Sequence, residues 1–256
     1  MQQWKDKRVL VIGGGRGIGK SVAEAFGAGG AQVTLASRSL GELQAVAASI
    51  GAHAYPERCD ISEEESVAHC VSQAIHHMGG IDIMVNSAGI ALSAPIHKMS
   101  TTDWDRMMGI NLRGAFFVTR AVLPTMLESG WGRVIHLASI AGKSGMEYVA
   151  GYCATKHGLM GMVKASALEV ARKGITINAV CPGYVESPMT DDNVARIAEK
   201  TGLPPAKVKG TMEGFSPQNR LFETDEIAET VLYLASDGAR GINGQGINVC
   251  GGSVFS

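Results

Sequence analysis

Three residues near the middle of the chain have the types and spacing for acid–base chemistry at a carbonyl: Ser139, Tyr152 and Lys156. Tyr152 and Lys156 are four positions apart, so a helix places them on one face. Ser139 closes an apolar run over residues 132–138 that reads as a buried strand. Open α/β sheets bind ligands beyond the carboxyl ends of their strands. A hydroxyl, a phenol and an ammonium can therefore converge on one small volume. A free phenol has a pKa near ~10 and is a weak proton carrier at neutral pH. An ammonium about 4 Å away, at an effective dielectric of ~20, favours the phenolate by roughly 4 kcal/mol, or about three pKa units. Lys156 is thus expected to bring the Tyr152 phenol into working range while Ser139 holds a carbonyl oxygen. Adding hydride to a ketone needs that arrangement, with a proton donor at oxygen and a hydride donor at carbon.

The elements that must position these groups follow from period and punctuation. Continuous apolar runs over residues 8–12, 31–36, 53–59, 81–85, 134–137, 175–180 and 246–249 read as seven strands. Pro56 interrupts the third. Helical patterns cover residues 20–29, 41–50, 62–78, a stretch holding Trp104 to Leu112, and the Tyr152 segment to about Arg172. Ser62 with Glu65 has the form of a capping box, and Ser100 or Thr101 the form of an N-cap. Strict alternation of strand and helix predicts an α/β fold: a Rossmann-type, doubly wound, seven-stranded parallel sheet in a single domain over residues 1–256. Residues 182–223 lack any strand pattern, and 191–200 and 205–212 read as short helices. Long excursions of this kind serve as lids, so a substrate lid is expected at about 186–219.

After the first strand, Gly13-Gly14-Gly15-Arg16-Gly17-Ile18-Gly19 opens the first helix. Glycines there allow a tight turn and close approach of a pyrophosphate to the helix N-terminus. An acid roughly 20 residues on would take the ribose 2′-hydroxyl of NAD. Residues 31–41 contain no acid, and Ser37-Arg38 occupies that place. Arg38 can pair with a 2′-phosphate, and Arg16 lies on the same side, so the expected cofactor is NADP(H).

Bulk properties narrow the class. The 256 residues carry a formal net charge of −1, with 45% apolar and 18% charged residues. That argues against a dedicated nucleic-acid or anionic-membrane surface. The five scattered cysteines include no Cys-x-x-Cys pair, which fits a reducing, cytoplasmic setting and no metal site.

Together these motifs resemble the short-chain dehydrogenase/reductase family over essentially the whole chain. The resemblance implies that Asn111, Ser139, Tyr152 and Lys156 form a catalytic tetrad. Tyr152 would donate the proton, Ser139 orient the carbonyl, Lys156 bind the nicotinamide ribose, and Asn111 support a proton-relaying water. Gly13, Gly15, Gly17, Ile18 and Gly19 would cradle the cofactor, with Asp60 and Ile61 at the adenine. Asn86, Ala88 and Gly89 match the motif beside the cofactor, and Pro182, Gly183, Val185 and Ser187 the segment over the carboxamide. Ile12, Ser87 and Ser187 depart from the usual Thr, Asn and Thr. Within the family, residues 171–183 and 248–252 are similar to 3-oxoacyl thioester and polyketide ketoreductases and to 3-hydroxyacyl and 3-hydroxybutyrate dehydrogenases. The implied reaction is NADP(H)-dependent reduction of a β-keto compound, free or bound to CoA or a carrier. An NAD-dependent oxidative dehydrogenase and a non-catalytic scaffold are the alternatives.

Other residues invite readings of their own. His76-His77 fits a solvated helix end and His136 a satisfied buried imidazole. His97 falls near the expected substrate mouth. Met146, Val149, Met189 and Phe215 either line an acyl pocket or pack a lid. The resemblance also implies a homotetramer, with apolar faces supplied by Met107, Phe116, Leu159, Met162 and Val163.

Overall fold

A computed structural model describes residues 3–255. The elements run β1 (Arg8–Ile12), α1 (Gly17–Ala28), β2 (Gln32–Ser37), α2 (Leu40–Ile50), β3 (Ala54–Arg58), α3 (Glu64–Met78), β4 (Ile83–Asn86), α4 (Thr101–Met107), α5 (Gly114–Ser129), β5 (Gly132–Leu137), α6 (Ala150–Val170), β6 (Ile175–Pro182), α7 (Pro188–Thr201), α8 (Pro205–Glu213), α9 (Thr224–Ala235) and β7 (Gly246–Val249). The strands form one parallel sheet in the order β3-β2-β1-β4-β5-β6-β7. Strand order reverses between β1 and β4, which opens a crevice at their carboxyl ends. β3 lies at the edge, where Pro56 removes a donor without breaking an inner ladder.

Both faces of the sheet are buried, so the strands carry continuous apolar runs that alternate in direction. Leu10, Ile12 and Met84 face a core completed by α3, α5 and α6, with Val67, Val118 and Leu159. Val9, Val11, Ile83 and Val85 face the other core, with Phe26 of α1, Leu43 of α2 and Val231 of α9. Three helix starts differ from the sequence reading by two residues or more, α7 among them at Pro188 rather than 191. α1 begins at Gly17, earlier than expected, which brings its N-terminus into the glycine loop. The Ser62–Glu65 capping box does not form. Asp60 Oδ1 accepts from the Ser62 amide (3.0 Å) and hydroxyl (2.7 Å), so Ser62 serves the loop and α3 starts at Glu64. Ser100 does cap α4, accepting from the Asp103 amide at 3.0 Å. A full capping box closes Glu223 onto Glu226 at α9.

Arg8 at the start of β1 grips Asp82 ahead of β4 through Nε–Oδ2 (2.9 Å) and Nη2–Oδ1 (2.6 Å). Burial pulls the Asp82 carboxyl up, but the Arg8 hydrogen bonds and charge outweigh it and hold the group below its ordinary value. Its contribution is therefore present above the unfolded value near ~3.9 and lost as pH falls through the lower folded value. Asp82→Asn should lose about 1–2 kcal/mol at pH 7, since the pair is partly exposed. Urea unfolding should show that deficit shrinking toward pH 3.

No helix among the described residues is long and apolar enough to cross a membrane. The expected interface residues need correction. Met107, Leu159 and Val163 are buried within the chain itself, against the sheet or neighbouring helices. Met162 is partly buried against the core, whereas Phe116, also among the expected residues, is exposed on α5, as is Leu168 on α6.

Candidate active site

β5 ends at Leu137, and Ser139 follows as the cap of a short helical turn over Ile140–Gly142. The Ser139 hydroxyl accepts from the Ala141 amide at 3.1 Å, which holds the side chain at the strand end. α6 starts at Ala150 and carries Tyr152 and Lys156 on adjacent turns. Lys156 Nζ lies 5.6 Å from the centre of the Tyr152 ring. Ser139, Tyr152 and Lys156 border one cavity of about 180 Å³. Its walls also include Leu92, Ile140, Met146, Val149, Met189 and Met212.

Asn111 sits in a π-helical turn, Met108–Arg113, between α4 and α5. Such turns redirect a side chain out of the regular ladder. The amide of Asn111 donates to the Ile90 carbonyl (2.8 Å) and Thr155 Oγ1 (3.1 Å), and its Oδ1 accepts from the Ile90 amide (2.8 Å). Thr155 is thus a site-building residue that sequence reading passed over. A Cβ on Gly89 would stand 3.3 Å from Asn111 Oδ1 and 3.8 Å from Lys156 Nζ, so glycine lets these groups close up. Beneath them, His136 is satisfied on both nitrogens, by Thr119 Oγ1 at 3.0 Å and Asn86 Nδ2 at 3.4 Å. Asn86 Oδ1 then accepts from the Ala88 amide at 3.1 Å, which fixes the end of β4. Burial, with the nearby Lys156 charge, pushes the His136 imidazole down to about 3, so it stays neutral.

The expected electrostatics of the phenol need correction. Burial pushes Tyr152 up to about 12, and its interaction with the Ser139 hydroxyl only partly offsets this. Lys156 is itself buried, which lowers it to about 8, and its ammonium donates to the Leu137 carbonyl at 2.6 Å. Its hydrogen bond goes to that carbonyl, and burial dominates the phenol. The resting phenol is therefore neutral and carries its proton.

A second cleft adjoins the cavity and shares Ile18, Ser87, Gly89, Ser187 and Met189 with it. Gly13, Gly15, Arg16, Gly17, Ser37, Arg38, Asp60, Ile61 and Ala88 line this cleft. Its glycines are required by shape. A Cβ on Gly13 (φ +81) would stand 2.8 Å from the Ala88 amide nitrogen, and one on Gly19 would stand 2.1 Å from the Gly13 carbonyl. Gly15 leaves open a gap beside Ser37 and Glu42. Burial raises the Asp60 carboxyl, but the Ser62 hydrogen bonds and the Arg38 and Arg58 charges outweigh it and leave it lowered. This cradle of glycines and helix N-terminus fits a dinucleotide pyrophosphate.

Pro182, at the end of β6, and Gly183, Val185 and Ser187 after it lie along the cavity. Val185 bridges Phe222 in parallel register, and its carbonyl accepts from Thr190 Oγ1 at 2.6 Å. That anchors the start of the 186–219 excursion, whose helices α7 and α8 both begin at proline. Met146, Val149 and Met189 reach the cavity as one reading required. Phe215 does not line it and packs beside Tyr184, with ring centres 5.5 Å apart. His97 is exposed and also outside the lining. His77 pairs with Glu57 at 2.9 Å and stacks on Tyr55.

A family model described as enoyl-(acyl carrier protein) reductase matches residues 13–253. The chain belongs to the short-chain dehydrogenase/reductase family. It is an oxidoreductase of carbonyl and alcohol groups that uses a nicotinamide cofactor. Among curated family members it is 34% identical to sorbitol dehydrogenase of Cereibacter sphaeroides, with 98% of each chain covered. It is 35% identical to D-beta-hydroxybutyrate dehydrogenase of Cupriavidus necator, covering 97% of this chain and 98% of that one. Among solved family structures, a point variant of actinorhodin polyketide ketoreductase with NADPH superposes with a TM-score of 0.93 at 34% identity, over 99% and 98% of the two chains.

Proposed function

We propose that this family member is an NADP(H)-dependent reductase that converts a β-keto compound to a secondary alcohol. The observation that carries the reading is the shared wall between the Ser139–Tyr152–Lys156 cavity and the glycine-lined cleft. A ligand filling the cleft reaches the cavity where the phenol stands. Gly13, Gly15, Gly17 and Gly19 would hold the pyrophosphate, with Asp60 and Ile61 at the adenine and Ser37, Arg38 and Arg16 at the 2′-phosphate. Lys156 would hold the nicotinamide ribose, and Pro182, Gly183, Val185 and Ser187 the carboxamide. The bound cofactor supplies hydride. Ser139 orients the ketone oxygen, and Tyr152 donates its phenolic proton to that oxygen as charge develops there. Asn111 holds the end of the proton path toward Lys156. The 186–219 segment acts as the lid that excludes water. The similarity to a polyketide ketoreductase with NADPH supports the direction and the cofactor. Assembly as a homotetramer in the cytoplasm is part of the reading, and light scattering tests the first.

Turnover of NADPH, with NADH in parallel, on acetoacetyl-CoA, β-ketoesters and simple ketones tests the proposal. No oxidation of either cofactor over that panel would overturn it.

Lys156 also fixes a pH limit. Its ammonium is the protonated form, so with a pKa of about 8 it is present below that pH and lost above it. The kcat/KM for the cofactor, which reports the free enzyme, should stay level to about pH 8 and then fall about tenfold per unit. A limb displaced to the ordinary lysine range near ~10 would contradict the assignment.

A further inference from the structure

The cavity beside Tyr152 has an uneven charge balance. Two cations, Lys156 and Arg196, border it, and no Asp or Glu does. Lys156 already donates to the Leu137 carbonyl. Arg196 projects from α7, and its hydrogen bonds go to two neutral acceptors. Its Nη2 donates to the Ala91 carbonyl (3.0 Å), on the loop after β4, and to Asn193 Oδ1. Its Nε is buried without an acceptor. The acid one turn earlier, Asp192, lies 3.8 Å from Arg16 instead, and Glu186 pairs with Lys209. Among the described residues Arg196 therefore has no carboxylate partner.

A half-buried guanidinium against an apolar wall is a costly arrangement unless an anion completes it. The guanidinium fork suits a carboxylate, which it binds more strongly than it binds a neutral carbonyl. Leu92, Ile140, Met146, Val149 and Ile197 also line the cavity and suit a short aliphatic chain. We propose that Arg196 receives a carboxylate carried by the substrate, so the preferred ketone is a short keto acid. This rests on the proposed reductase reading and narrows its substrate class. The Ala91 carbonyl and Asn193 amide then act as stand-ins that the carboxylate displaces or joins.

Binding separates this inference from turnover. Acetoacetate and levulinate are titrated against their neutral counterparts, pentane-2,4-dione and hexane-2,5-dione. The protein is saturated with whichever oxidised cofactor binds, so no hydride is available. The unmodified protein should bind the better acid at least about tenfold more tightly than its neutral counterpart. Arg196→Met should lose that preference while the diketone constant moves less than about twofold, and Arg196→Lys should keep part of it. Equal affinity for acids and diketones in the unmodified protein would overturn the inference. So would a parallel loss for both in Arg196→Met, which would mark Arg196 as a tie between α7 and the Ala91 loop. Turnover with the reduced cofactor is measured separately. Its absence alongside tight acid binding would remove the reductase reading and leave the carboxylate site standing.

Discussion

Tyr152→Phe should lower kcat for ketone reduction by about 10³-fold while the NADPH dissociation constant stays within about twofold. General acid catalysis by a positioned group contributes roughly 10²–10⁴-fold, and this substitution removes the donor while keeping the ring. The phenol is protonated at neutral pH, since burial holds it at about 12, and it interacts with the Ser139 hydroxyl. Lys156, lowered by burial to about 8, gives one of its N–H groups to the Leu137 carbonyl, and in the proposed reading it holds the nicotinamide ribose. Single-turnover reduction and a fluorescence titration of NADPH measure the two quantities separately. Retained turnover would show that the proton comes from elsewhere, such as water. A matching loss of NADPH affinity would instead show that the phenol holds the cofactor. Ser139→Ala should fall between the two extremes, because it removes an orienting contact and leaves the proton.

The elements that hold the site were readable because their signals are local. The glycine loop, the strand ending at Ser139 and the Tyr152–Lys156 spacing each express one backbone requirement. What was missed depended on competition or on distance. Ser62 carries a capping residue's side chain, but Asp60 two positions earlier takes both its amide and its hydroxyl. The resemblance places Leu159 and Val163 at a partner face, but α6 is apolar on several sides and this stripe meets the chain's own core. The phenol's acidity was misread for a related reason: the spacing of Tyr152 and Lys156 sets their proximity, whereas burial sets their charge states. Arg196 had no sequence signal at all, since its significance comes from a cavity assembled by segments far apart in the chain. Glu42 is the opposite case. It lay one residue past the stretch searched for an acid, and the structure places it in the cofactor cleft with Arg38.

Arg38→Asp should reverse cofactor preference, changing the ratio of NADPH to NADH dissociation constants by about 10²–10³-fold. The two cofactors differ by the phosphate on the adenosine ribose, so the ratio isolates that end of the cleft. Ser37, Arg38, Ser39, Arg16 and Glu42 all border it. Arg38 is exposed, so each unit of charge interaction is screened, yet the substitution changes the local charge by two units opposite a phosphate. At an effective dielectric near 20 and a separation of about 5 Å, that amounts to roughly 3–4 kcal/mol after screening. Glu42 pulls the other way. A Cβ on Gly15 would stand 3.4 Å from both Glu42 Oε2 and Ser37 Oγ, so the carboxylate faces the same gap that a ribose would occupy. Glu42→Gln should therefore improve NADPH binding by about three- to tenfold with little change for NADH. Titrations of the six protein–cofactor pairs need no turnover and read both substitutions directly. A ratio that moves less than about threefold in Arg38→Asp would show that the guanidinium stays in solvent. Preference would then rest with Arg16, whose present neighbour at 3.8 Å is Asp192 of α7.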